Sequence, residues 1–96
     1  MALLFPGVAL VTGAASGIGQ GIAVAFAKDG CSRIALCDIN VSGLEETKLL
    51  VLQVAPEAQV LVVYVDLSKE QDVKEMVHKT VQKFGRVDYA VNTAGM

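Results

Sequence analysis

Gly13, Gly17, Gly19, Ser16, Asp38 and Asp66 are the residues of this chain whose types and spacing could do chemistry. That chemistry is the capture of an anion and of the sugar attached to it. The stretch Val11-Thr12-Gly13-Ala14-Ala15-Ser16-Gly17-Ile18-Gly19 is entered by an apolar run, Val8-Ala9-Leu10-Val11. It is left by residues at helical apolar spacing, Ile18, Ile22, Ala25 and Phe26. This reads as strand, glycine-rich turn, helix. Gly13, with no Cβ, permits a sharp turn. Gly17 and Gly19 leave room for a bulky anion near the backbone and for the new helix to pack on the sheet. The unpaired N–H groups of the helix's first turn, with the positive end of its dipole, then face the anion, and a pyrophosphate suits such a site. A tight turn holding nothing would use the same glycines, so the turn alone leaves both readings open.

The common dinucleotide fingerprint G-x-G-x-x-G is absent; the chain carries Thr12-Gly13-x-x-x-Gly17-x-Gly19 instead. No Gly-Lys-Ser/Thr follows, which removes support for an ATP-type P-loop. Asp38 closes an apolar run at about the 20-residue distance where an acidic side chain accepts hydrogen bonds from the adenosine ribose. An aspartate after a strand can also merely begin a turn. Its position behind a glycine turn favours the ribose role.

Each of these residues needs an element to position it. Gly7 to Thr12 reads as the first strand, and the helix after the glycine turn runs from about Gly17 to Asp29, with Gly30 as its stop. Gly21, Ala23 and Ala25 keep that helix slim against a sheet. Arg33 to Asp38 is the second strand. Asn40 or Ser42 caps a second helix with a rough apolar stripe of Leu44, Lys48, Val51 and Leu52. Gly43 weakens its first turn, and the segment around Pro56 ends it. Gln59 to Val65 is the third strand, followed at once by Asp66-Leu67. Ser68 with Gln71 has the form of a capping box. The third helix, Lys69 to Phe84, is expected to bury Val73, Met76, Val77, Thr80, Val81 and Phe84, and Gly85 ends it. Arg86 to Asn92 is the fourth strand, closing in Asn92-Thr93-Ala94-Gly95.

The order βαβαβαβ implies a parallel sheet. Right-handed crossovers put the first two helices on one face and the third on the other, in strand order 3-2-1-4. The winding reverses between strands one and four, and ligands sit at such a switch point beyond the strands' carboxyl ends. The glycine turn, Asp38, Asp66 and Asn92 all fall there.

Composition narrows the partners. Ninety-six residues make one domain, and a 53% hydrophobic content suits strands buried on both faces. A net charge of −2 and the absence of tryptophan offer neither an electrostatic footprint nor stacking platforms for nucleic acid. No apolar run reaches membrane-spanning length, and the first residues lack a signal-peptide pattern. Cys31 and Cys37 flank a strand that would hold them on the order of 20 Å apart, beyond disulfide reach. Both read as small buried residues of a cytoplasmic protein. The single histidine, His78, lies on a solvent face, and no clustered ligands suggest a metal.

Thr12-Gly13-x-x-x-Gly17-Ile18-Gly19, Asp38, Asp66-Leu67 and Asn92-Thr93-Ala94-Gly95 together resemble the short-chain dehydrogenase/reductase family. The resemblance spans the whole chain and implies a Rossmann-type domain over residues 1–96 that binds a dinucleotide. It implies pyrophosphate contacts at Gly13, Ser16, Gly17, Ile18 and Gly19. Asp38 would take the ribose hydroxyls and prefer NAD to NADP, and Asp66 and Leu67 would contact the adenine. Asn92, Ala94 and Gly95 would lie near the cofactor and steady the central strands. The family's Asn-Asn-Ala-Gly has Thr93 as its second residue here, which puts the role of that side chain in doubt.

The family's catalytic Ser and Tyr-x-x-x-Lys are not matched. Tyr64 and Tyr89 are each followed four residues on by something other than Lys, so no catalytic residue is assigned. The chain therefore reads as the cofactor-binding half of an NAD-dependent oxidoreductase, truncated after the fourth strand. A non-catalytic dinucleotide-binding module or an inactive remnant are the alternatives. The fourth strand would be an open edge able to self-associate, and apolar side chains should be exposed beside the third helix.

Overall fold

A computed structural model describes residues 7–93. The element order is β1 (Val8–Thr12), α1 (Gly17–Lys28), β2 (Arg33–Asp38), α2 (Val41–Val54), β3 (Gln59–Tyr64), α3 (Glu70–Phe84) and β4 (Tyr89–Asn92). All four strands are parallel, in the order β3-β2-β1-β4, as the alternation of strands and crossover helices requires. The register pairs Thr12 with Cys37 and with Asn92, and Asp38 with Tyr64. The carboxyl ends of all four strands therefore share one edge.

Alternation along the strands divides the core in two. Ala9, Val11, Ile34 and Leu36 point to one face, where they meet Ala23, Phe26 and Ala27 of α1 and Leu44 and Val51 of α2. Val8, Leu10, Ala35, Cys37 and Val63 point to the other, against Met76 and Phe84 of α3. Each fully buried Ile34, Leu36 or Leu44 contributes about 1.5–3 kcal/mol over an exposed position. Every residue of β1 is buried; of the edge strands, β4 alternates between half-buried and exposed, and β3 is exposed only at its two ends.

A clasp joins β1 to β4 at the opposite end of the sheet. The Val8 N–H donates to Asp88 Oδ2 at 2.8 Å, and Arg86 holds Oδ1 through Nε at 2.9 Å and through its terminal nitrogen at 2.6 Å. The fourth strand consequently starts at Tyr89, three residues later than its apolar run suggests. The Tyr89 ring packs on Phe26, with centroids 5.6 Å apart.

Other expectations need correction. In α1, Ala25 is exposed and a Cβ on Gly21 would meet nothing within 4 Å, so Ala23 and Ala27 make the close approach instead. In α2, the inward stripe is Gly43, Leu44, Thr47 and Val51. In α3, Val77 and Val81 are 45% and 42% exposed, because the helix's apolar stripe is wider than the sheet beneath it. Val77 lines an open apolar groove of about 430 Å³, with Leu10, Ala90, Val73, Met76 and Val87. Exposed apolar surface beside the third helix was expected, and it is present.

Candidate functional site

The site is assembled at the strand ends, beginning with the turn after β1. Gly13 has φ +73°, a left-handed conformation that a Cβ disfavours. Ser16 is the N-cap of α1: its Oγ accepts from the Gly19 N–H at 3.2 Å and donates to the Gly13 carbonyl at 2.8 Å. A Cβ on Gly19 would run into that same Gly13 carbonyl, so glycine is needed for the helix to start this close to the strand. A Cβ on Gly17 would meet no atom within 4 Å. No described residue demands that glycine, and the space beside it is open among the described residues.

The first-turn amides are distributed unequally. Ala14 N–H donates to Cys37 O at 3.2 Å, Ser16 N–H to Gly13 O at 3.1 Å, and Gln20 N–H to Ser16 O at 2.7 Å. With Gly19 held by Ser16, the N–H groups of Gly17 and Ile18 are left at the mouth of the helix without a partner among the described residues. These are the orphan donors that an anion satisfies.

Asp38, the last residue of β2, turns its carboxylate onto this loop. Oδ2 accepts from the Ala15 N–H at 2.9 Å, and Oδ1 accepts from Ile39 N–H at 2.7 Å and Asn40 N–H at 3.1 Å. A carboxylate has about four lone-pair sites, so acceptor capacity remains for a neighbouring hydroxyl. Asn40, whose Oδ1 accepts from Gly43 N–H at 3.1 Å, caps α2.

Beyond β3, Asp66 Oδ1 accepts from the Ser68 hydroxyl at 2.7 Å and the Ser68 N–H at 3.0 Å. These two bonds, the hydroxyl's first, hold its carboxyl below the usual aspartate range. The Asp66 N–H in turn donates to Asp72 Oδ2 at 3.0 Å. The capping box expected from Ser68 and Gln71 does not form. Ser68 is committed to Asp66, the N-cap is Lys69 with no side-chain bond, and Asp72 reaches back over the first turn.

On β4, Asn92 Oδ1 accepts from the Thr12 hydroxyl at 2.8 Å. Thr93 is buried, and its hydroxyl lies 2.8 Å from the Thr12 carbonyl and 3.2 Å from that of Gly13. The departure from Asn at this position is thus filled by a hydroxyl that ties β4 to the glycine turn. Ala94 and Gly95 lie outside the described residues.

Gly13, Ser16, Asp38, Asp66, Leu67 and Thr93 converge on one cleft of about 350 Å³, which Ile39, Val65 and Ser68 complete. Asn92 does not line this cleft; it lines the apolar groove next to it, with Leu67 on the boundary between the two. Ile39, 54% exposed at the cleft's edge, was missed by the sequence reading, although an isoleucine directly after a strand-ending carboxylate is an unusual loop residue. The polar character at the Asp38 end is acidic, with no Lys or Arg among the described lining residues. Such a surface accepts hydrogen bonds from hydroxyls and repels phosphate. At the other end the cleft is lined by Gly13 and Ser16 and lies beside the helix mouth; Gly17, Ile18 and Gly19 do not themselves line it.

The remaining reactive groups are elsewhere. Both cysteines are free and buried; burial raises the Cys31 thiol, and burial with the Asp38 charge pushes Cys37 up to about 12. Among the described residues no group of His, Cys, Asp and Glu could hold a metal, and no helix is long and apolar enough to cross a membrane.

Residues 7–96 match the family described as short chain dehydrogenase, and the chain belongs to that family. It is 42% identical to the short-chain dehydrogenase anuF of Penicillium roqueforti over all of its own length and 36% of that protein's. It is also 42% identical to levodione reductase of Leifsonia aquatica, over 93% of this chain and 33% of that one. Among solved structures, levodione reductase superposes with a TM-score of 0.85 over 88% of this chain. NAD+-bound xylitol dehydrogenase superposes with a TM-score of 0.84 at 32% identity, over 91% of this chain and 33% of that one. The chain thus spans about a third of the length of the relatives it matches.

Proposed function

We propose that this chain holds NAD, in preference to NADP, as the cofactor-binding portion of a short-chain oxidoreductase. The diphosphate would lie on the Gly17 and Ile18 N–H groups at the mouth of α1. The adenosine ribose would lie on Asp38, with the adenine between Ile39, Asp66 and Leu67. The observation that carries this reading is the Asp38 carboxylate seated on the Ala15 N–H, which fixes a hydroxyl acceptor beside an open helix mouth. A ribose 2′-phosphate at that point would meet a carboxylate with no cation among the cleft's described residues.

In the whole enzyme, hydride would pass between the nicotinamide and an alcohol or carbonyl substrate, the chemistry that the cofactor itself supplies. The catalytic Ser and Tyr-x-x-x-Lys of the family have no counterpart in these 96 residues, so this chain by itself is proposed to bind and not to turn over. Buried free thiols suit a reducing compartment, and the cytoplasm is the location proposed.

Calorimetric titration with NAD, NADP, ADP-ribose and nicotinamide mononucleotide tests this. ADP-ribose should bind about as well as NAD, NADP more weakly, and the mononucleotide not at all. Equal affinities for NAD and NADP would remove the role given to Asp38. A folded chain that binds neither NAD nor ADP-ribose would remove the reading altogether.

A further inference from the structure

Two threonine hydroxyls, each on a different element, are tied to carbonyls on either side of Gly13. Thr93, beyond β4, has its shorter contact at the Thr12 carbonyl, as described above. Thr47, in the middle of α2 and wholly buried, lies 2.7 Å from the Ala14 carbonyl and 3.0 Å from that of Gly43. A hydroxyl has one proton to give. The Gly43 contact is the ordinary bond of a helical threonine to the carbonyl four residues back; Thr80 of α3 makes such a bond to Met76 at 2.8 Å. The shorter contact of Thr47 runs out of its own helix to the loop. Alpha-2 comes this close because residue 43 is glycine, where a Cβ would stand 2.6 Å from the Ala15 Cβ.

The consequence is electrostatic. A loop that binds a diphosphate must offer N–H groups and keep its carbonyl oxygens, which carry negative partial charge, turned away. The Ala14 carbonyl is drawn inward by Thr47, the Ala14 N–H is taken by Cys37, and the Ala15 N–H by Asp38. The peptide planes that precede the helix mouth are thereby fixed before any ligand arrives. We infer that Thr47 is a positioning residue for the diphosphate, acting through the Ala14 carbonyl to hold the glycine turn in its anion-accepting form. The inference rests on the dinucleotide reading above.

Thr47→Val removes the hydroxyl at nearly constant volume, and Thr47→Ser keeps it. ADP-ribose and adenosine are titrated into both variants and the parent chain, with thermal melting recorded alongside. Thr47→Val should weaken ADP-ribose by about tenfold, the scale of one lost hydrogen bond to a buried group. Adenosine, which carries no diphosphate, should bind as before, and Thr47→Ser should bind ADP-ribose within about twofold of the parent, since its bond is retained. A purely structural role would lower the melting temperature and leave the ratio of the two affinities unchanged, which overturns the inference. Equal losses in Thr47→Val and Thr47→Ser overturn it too. Should Thr47→Val not fold, Gly43→Ala presses on the loop from the same side, and an unchanged ratio in that variant overturns it equally. Failure of the parent chain to bind ADP-ribose defeats the dinucleotide reading itself, and is recognised by the parent measurement alone.

Discussion

The carboxylate of Asp38 and the backbone N–H of Ala15 are joined by a 2.9 Å hydrogen bond that links the end of β2 to the glycine turn after β1. One side chain thus sets the loop's shape and supplies the acceptor beside it. In the proposed mode of binding, loop shape and sugar recognition would be coupled through this one residue.

Replacement of Asp38 by asparagine should therefore have two effects. NAD affinity should fall about tenfold, the scale of one charge-assisted hydrogen bond. The ratio of NADP to NAD affinity should rise, because the repulsion of a 2′-phosphate goes with the charge. Titration with both nucleotides checks this, and an unchanged ratio would show that selectivity lies elsewhere.

Gly17 and Gly19 should behave oppositely although they are two residues apart. Gly19→Ala drives a methyl into the Gly13 carbonyl and should cost about 1–3 kcal/mol of stability. Gly17→Ala meets no protein atom and should leave stability within about 0.5 kcal/mol of the parent, yet weaken NAD binding. Urea denaturation paired with NAD titration separates the two.

The clasp at Asp88 predicts an acid limb in stability. The bond from the Val8 N–H, followed by the contacts with Arg86, lowers the Asp88 pKa from 3.8, and Asp66 is lowered from the same value by Ser68. A carboxyl depressed on folding stabilises the fold above its unfolded pKa, and that contribution disappears as pH falls through the folded value. Melting temperature should be flat above about pH 5 and drop from near pH 4 downward. Asp88→Asn should flatten the drop more than Asp66→Asn, because Asp88 joins two strands and Asp66 bonds within its own turn. An unaltered acid limb in Asp88→Asn would exclude the clasp as its source.

The thiols should be inert in the native chain. With Cys37 at about 12 and Cys31 raised by burial, neither should react with a thiol reagent at pH 8 until the chain is unfolded, when both should react. Rapid modification of the native chain would contradict the burial on which that expectation rests.

The sheet order could be reasoned from the sequence because each step was forced. Runs such as Val60-Leu61-Val62-Val63 suit a strand packed on both faces, and crossover handedness allows few arrangements of four such strands. The place of Asp38 followed in the same way, since a residue ending β2 must lie beside one ending β1. The capping-box pattern of Ser68 and Gln71 does not form a cap because the Ser68 hydroxyl is committed to Asp66. Val77 and Val81 were expected inside because periodicity tells which face of α3 is apolar, but not how much of that face the sheet covers. Thr47 gave no signal: a threonine in mid-helix looks the same whether its hydroxyl bonds its own turn or a loop 33 residues away in sequence.

Beta-1 is the one strand buried along its entire length, flanked by β2 and β4, and the glycine turn hangs from its end. Amides of such a strand exchange with solvent only when the whole domain opens. The loop's grip on a ligand should thus vanish together with the last protected amides of Leu10 and Val11, and not earlier with fraying at β3. Ligand release on heating would then serve as a gauge of global unfolding.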